Sequence, residues 1–142
     1  MKGIFVDTAG WMACADEGDP AHQRARKARY VALEQGNVLV TTDYVVDETL
    51  TLIRVRLGLA AARNWWDQVE GSSRLRWEWI GMDRAEKARN VFFRYRDKDY
   101  SFTDCTSFIV MQELKLKQAL TAGARFRQMG FQVLPRAAER GK

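Results

Sequence analysis

The stretch GIFVDTA, Gly3 to Ala9, is a short apolar run of β-forming residues that ends abruptly in an acid, Asp7. Gly10 and a short helical segment, WMACADE (11–17), follow it. An acid at such a junction has two readings of about equal weight. It caps the next helix, with Thr8 assisting, or it is a functional group at the carboxyl end of a strand, where α/β sheets gather their ligands. Which fold this is depends on whether the strand-then-helix unit recurs.

It does recur. Asp19-Pro20 offers an N-cap and a first-turn proline for a helix running to about Gln35, which Gly36 stops. NVLVTT (37–42) is a second strand, and Asp43 opens a helix that continues to about Leu57, where Gly58 breaks it. AAARNWWDQVE (60–70) is another helix, and RLRWEWI (74–80) alternates well enough to be a strand. DRAEKARNVFFRYRD (83–97) is helical, and Thr103 to about Leu114 makes a second, more apolar helix. QALTA (118–122) and FQVLP (131–135) are the last strands, with a short helix around Phe126 between them. Strands that alternate with helices imply a mostly parallel sheet covered on both faces, a three-layer α/β/α arrangement. A chain of 142 residues without repeats, low-complexity tracts or linkers is expected to form this as a single domain, 1–142.

Composition narrows the function. No run approaches the roughly 20 apolar residues of a membrane-spanning helix, and the N-terminal MKGIFVDTAGW meets an aspartate too early for a signal peptide, so a soluble, cytoplasmic protein is expected. Cys14 and Cys105 lack CxxC spacing and have no cysteine or histidine cluster around them, which argues for two buried thiols. Lys and Arg number 23 against 18 Asp and Glu, a formal charge of +5 that favours an anionic partner such as nucleic acid. The basic residues cluster at Arg24, Arg26, Lys27 and Arg29, at Arg74 and Arg76, and in the tail at Arg136 and Arg140. Any one cluster taken alone reads as a solvated face. Trp65 and Trp66 read as core, although a partner contact is open to them. There is no Walker A loop, GxGxxG or GxSxG elbow, and the sole histidine, His22, lies on an Arg-rich helix as a surface or packing residue.

Three acids stand out. Asp7 is the first. On the helix opened by Asp43, at about 100° per residue, Asp47 shares its side with Thr51 and Arg54, whereas Glu48 falls among Tyr44, Val45, Leu52 and Val55. Glu48 is therefore expected on an apolar face, where it needs a cation, either a metal or a buried arginine. Asp104 precedes the apolar block Phe108 to Met111 and shares a helical face with it. Helix-dipole stabilisation behind an N-cap at Ser101 or Thr103 is the alternative for that acid. Three acids at a strand end or on core-facing helical positions suggest convergence on a hard divalent cation, Mg²⁺ or Mn²⁺. With a basic surface, metal-assisted phosphodiester hydrolysis is the leading chemistry.

At these residues the chain resembles the PIN-domain ribonucleases, specifically the VapC-type toxins of bacterial toxin–antitoxin pairs. The similarity runs through FVDTAGW (5–11), TTDYVVDETLTL (41–52), DKDYSFTDCTSF (97–108) and LTAGARFRQMGFQVLP (120–135). The resemblance implies a Mg²⁺- or Mn²⁺-dependent endoribonuclease with Asp7, Glu48 and Asp104 as its metal site. Thr8 or Ser101 would orient solvent or phosphate. It further implies a homodimer neutralised by a small antitoxin that covers the acidic cleft. One position departs from the pattern, which has an acid two residues after the threonine: here Thr121 is followed by Ala122 and Gly123. Asp97 or Asp99 is a candidate substitute for that carboxylate. A catalytically impaired module that only binds RNA or a protein partner is the rival reading, and metal-dependent cleavage separates the two.

Overall fold

The computed structural model describes residues 1–136. The tail arginine Arg140 lies outside the described residues, and Arg136 is exposed. Five strands form one sheet in the order β3-β2-β1-β4-β5: β1 (Gly3–Val6), β2 (Val38–Thr42), β3 (Leu75–Glu78), β4 (Gln118–Leu120) and β5 (Gln132–Leu134). Every neighbouring pair is parallel. Between the strands run α1 (Thr8–Ala15), α2 (His22–Glu34), α3 (Asp43–Leu57), α4 (Leu59–Gly71), α5 (Met82–Arg94), α6 (Phe102–Glu113) and α7 (Arg125–Gln128).

The strand order fixes where a site can form. From β1 the chain winds outward through β2 to β3, then crosses back to β4 and winds outward again to β5. Its direction reverses between β1 and β4, so the connections leave those two strands on opposite sides and open a crevice beyond their carboxyl ends. Asp7 follows β1 directly and Thr121 follows β4 directly.

Burial explains why the strands are apolar throughout. Phe5, Val6, Val40 and Ala119 are fully buried, as strands covered on both faces must be. Trp11 of α1 meets Trp65 of α4 edge to face at 5.5 Å, and Phe108 of α6 meets Phe126 of α7 likewise at 5.0 Å. Trp66 is half-buried against Trp77. Every residue of α6 from Asp104 to Met111 is buried, so the apolar block seen in the sequence is a core helix. Truncating Phe108, which also touches Tyr100 and Phe131, removes about 3–5 kcal/mol of packing.

Several boundaries differ from expectation for local reasons. Asp19 does not cap α2: its Oδ1 accepts from the Ala21 N–H and its carbonyl from the His22 N–H, so it closes a turn and the helix starts later. The third strand is shorter than RLRWEWI because Ile80 N–H turns away to Asp43 Oδ1. His22 is a packing residue, with Nδ1 at 2.8 Å from the Ala13 carbonyl. Both cysteines are free and buried, as expected. Arg74 donates to the carbonyls of Leu33 and Asn37, and Arg76 pairs with Glu78, so that basic pair is largely structural. Among the described residues no helix is long and apolar enough to cross a membrane.

Candidate active site

Asp7 caps the next helix from the carboxyl end of β1. Its Oδ1 accepts from the Gly10 N–H at 2.9 Å, which caps α1, and its Oδ2 accepts from the Thr121 hydroxyl at 2.5 Å. The carboxylate thus ties the end of β1 to the end of β4. Gly10 makes this closeness possible: a Cβ there would lie 2.1 Å from the Leu120 carbonyl oxygen, so no other residue lets α1 start against β4.

Asp104 enters from the other side of the crevice. Its Oδ2 accepts from the Ser101 N–H while Ser101 Oγ accepts from the Asp104 N–H, both at 2.9 Å, a reciprocal capping box at the start of α6. Oδ1 of Asp104 receives no protein donor among the described residues. Arg125, on α7, places Nη1 at 3.3 Å from Asp104 Oδ2 and Nη2 at 3.3 Å from Asp99 Oδ2.

Electrostatics mark these acids as neighbours. Burial pushes the Asp7 carboxyl up to about 7; the bonds from Thr121 and Gly10 oppose the rise, and the charges of Asp104 and Glu48 add to it. Asp104 is raised too, chiefly by burial, with the Ser101 bond and Arg125 opposing and Glu48 contributing. Three carboxylates that repel one another at the mouth of a crevice are an arrangement a divalent cation relieves.

Glu48 corrects the sequence reading. The buried face of α3 is Val45, Val46, Thr49 and Ile53, and Glu48 is exposed beside it, as is Asp47. Val55, placed with Glu48 on the apolar face, is 75% exposed. The phase went wrong because the exposed valine and the half-buried Tyr44 and Leu52 counted as core. Glu48 nevertheless lies near the other two acids, since its charge adds to the rise of both Asp7 and Asp104. It borders an open recess of about 620 Å³ with Tyr44, Leu52 and Thr103.

The auxiliary candidates separate. Thr8 is buried and its hydroxyl accepts from Thr49, tying α1 to α3. Ser101 is occupied by its cap. Asp97 is exposed and pairs with Lys98, whereas Asp99 reaches the site through Arg125. Gly123 has a φ of +77° with open space where a side chain would stand. Among the described residues no group of three His, Cys, Asp or Glu side chains is arranged to hold a metal ion. Sequence reasoning missed Thr121 and Arg125 as site residues. The available signal was a hydroxyl immediately after an apolar strand, with a base four positions on.

Comparison with known proteins agrees with this fold. Residues 4–132 match the PIN domain family. The chain is 33% identical over 132 residues to the 23S rRNA-specific endonuclease VapC20 of Mycobacterium tuberculosis, covering 90% of this chain and 95% of that protein, in both strain CDC 1551 and strain H37Rv. It superposes on the crystal structure of Mycobacterium tuberculosis VapC20, described as a Sarcin-Ricin loop cleaving toxin, with a TM-score of 0.81 and 33% identity, covering 91% of this chain and 96% of that one.

Proposed function

Because this chain belongs to the PIN-domain family, we propose that it is a divalent-metal-dependent endoribonuclease, the toxin of a toxin–antitoxin pair, acting as one PIN-like unit over residues 1–142. The observation that supports this reading is the mutual charge effect of Asp7, Asp104 and Glu48 near the strand-order reversal, with Asp7 raised to about 7. In the reaction, water's oxygen bonds to phosphorus and one P–O ester bond breaks. The departing oxygen takes up a proton, so a diester and a water become a monoester and a hydroxyl. A bound Mg²⁺ or Mn²⁺ supplies polarisation of the phosphoryl oxygens and a water of lowered pKa. Asp7 and Asp104 would hold that ion directly, and Glu48 would hold it directly or through water. Thr121 and the Gly10 N–H keep Asp7 oriented and favour its ionised form. Ser101 does the same for Asp104.

The identity to VapC20 extends over nearly all of both chains, which makes a structured loop of ribosomal RNA the first substrate to try. A homodimer in the cytoplasm, silenced by a small antitoxin that covers the acids, completes the reading. Purified protein incubated with Mn²⁺ and an RNA panel that includes intact 23S rRNA should give discrete fragments, abolished by EDTA and by Asp104→Asn. Fragments that persist in Asp104→Asn would sink the assignment. The rival, a module that binds RNA without cleaving it, draws on the missing carboxylate at Gly123. It predicts RNA retention with no fragments at any metal concentration.

A further inference from the structure

Arg125 opens α7, two residues beyond Gly123, and is the one base whose bonds reach the buried acids of the crevice among the described residues. Its bonds to Asp104 and Asp99 are both 3.3 Å long, where a tight charge-assisted pair has about 2.7–2.9 Å. Asp99 is 83% exposed and serves as an outer tether; the guanidinium itself is 46% exposed. Its remaining N–H groups meet no protein acceptor among the described residues. The cation is therefore held in place loosely, with donors to spare.

Charge balance gives that placement a meaning. Four carboxylates would match two divalent ions. Of the three acids that face the crevice, Arg125 offsets one charge and leaves two, which one divalent ion neutralises, while Asp99, 83% exposed, is screened by solvent. We propose that Arg125 is the second cation of this site: one divalent ion sits among Asp7, Glu48 and Asp104, and the Arg125 guanidinium takes the phosphoryl oxygens that a second ion would otherwise hold. The inference rests on the metal-dependent ribonuclease reading above and accounts for Gly123 without loss of activity. The planar fork of arginine suits two phosphoryl oxygens at once, and its charge lies where negative charge builds up during displacement. The Asp99 tether keeps the side chain at the crevice while its bond to Asp104 is exchanged for a phosphate.

The test is Mn²⁺ titration by calorimetry alongside cleavage of one RNA substrate. The wild-type protein should bind one Mn²⁺. Arg125→Gln should still bind one, with kcat lowered about 100-fold, and Arg125→Lys should recover about 10-fold of that loss. Gly123→Asp should also bind one, because Arg125 pairs with the new acid; only Gly123→Asp combined with Arg125→Gln should bind two. Gly123→Asn makes the same demand on the left-handed backbone without the charge, and its melting temperature reports strain alone. Arg125→Gln that binds two ions or cleaves faster would make Arg125 a plug, and an unchanged rate would make it a surface ion pair. Either result, or a double variant that binds one ion, overturns the proposal. A wild-type protein that binds Mn²⁺ and cleaves nothing defeats the ribonuclease reading instead, and the titration pattern, read without substrate, still decides whether Arg125 replaces an ion.

Discussion

Asp104 and Glu48 address the same crevice from two helices, and they are held in opposite ways. Asp104 is 9% exposed and fixed by its own helix: the capping box that starts α6 also sets the carboxylate. Glu48 is exposed in the middle of α3, and no hydrogen bond or ion pair holds it among the described residues. The first acid is positioned at no extra cost, because the cap would form in any case. The second must give up rotamer freedom to join the site, a cost of up to about 2 kcal/mol. The proposed site would thus be half preformed, with Asp7 and Asp104 as the rigid part and Glu48 as the part that a ligand must recruit.

The largest expected effect falls on the rigid part. Asp7→Asn and Asp104→Asn should each cut cleavage by about 10³-fold or more, because a neutral amide is a poor ligand for a hard cation and cannot be replaced by movement elsewhere. Both variants should fold, since asparagine keeps an oxygen for the Gly10 or Ser101 N–H. Circular dichroism, melting curves and cleavage assays together check this; a large loss of stability with cleavage retained would mean that the acids are caps and nothing more.

Glu48 should matter less than the aspartates and more than its neighbour. Glu48→Gln should lower cleavage by about 10–100-fold, the range for a group that acts through water or completes a ligand set. Asp47→Asn should stay within about twofold, although both side chains are exposed on the same helix and border the same recess. Equal losses would show that a diffuse negative field, rather than a directed carboxylate, is what α3 contributes.

This pair also shows how far the sequence reached. The sheet, the alternation and the core nature of α6 were legible because apolar strands and a wholly apolar helix have no competing explanation. Asp7 was legible from its place at a strand end. The face of Glu48 was not, because Val55 is exposed on α3 and periodicity counts a valine as core wherever it stands. The part played by Arg125 was not legible either. It depends on a contact 21 residues away in the chain, across α6 and β4, that no local pattern encodes. The late start of α2 was hidden for a smaller reason: Asp-Pro makes an Asx-type turn as readily as it caps a helix.

A stability measurement sharpens the contrast without any RNA. The Asp7 carboxyl is raised to about 7 in the folded, metal-free protein, against about 3.9 in an unfolded chain. Between those values the folded state binds more protons. The contribution of Asp7 is therefore least unfavourable below about pH 4 and worsens as pH rises toward 7, then levels. A shift of this size corresponds to a penalty on the order of a few kcal/mol. Metal-free Asp7→Asn should melt several degrees above wild type at pH 8 and level with it near pH 4. Saturating Mn²⁺ should narrow the gap at pH 8 by stabilising the wild type alone.

The smallest effect tests how Asp7 is tuned. Thr121 is 5% exposed and its hydroxyl donates to Asp7 Oδ2, which favours the ionised carboxylate and opposes the rise caused by burial. Thr121→Val keeps the branched side chain, so the end of β4 should hold its place, and what is lost is the hydroxyl with its bonds to Asp7 Oδ2 and the Ala122 carbonyl. Without it the Asp7 carboxyl titrates higher, by up to about one unit. Metal binding requires the ionised acid, so the pH at which Mn²⁺ affinity reaches half its plateau should move upward by the same amount, with the plateau itself nearly unchanged. Mn²⁺ titrations at half-unit steps from pH 6 to pH 9 would measure it. A lowered plateau with an unmoved midpoint would make Thr121 a ligand or a spacer rather than the group that sets the charge on Asp7, and would place the rigidity of this half of the site in the Gly10 cap alone.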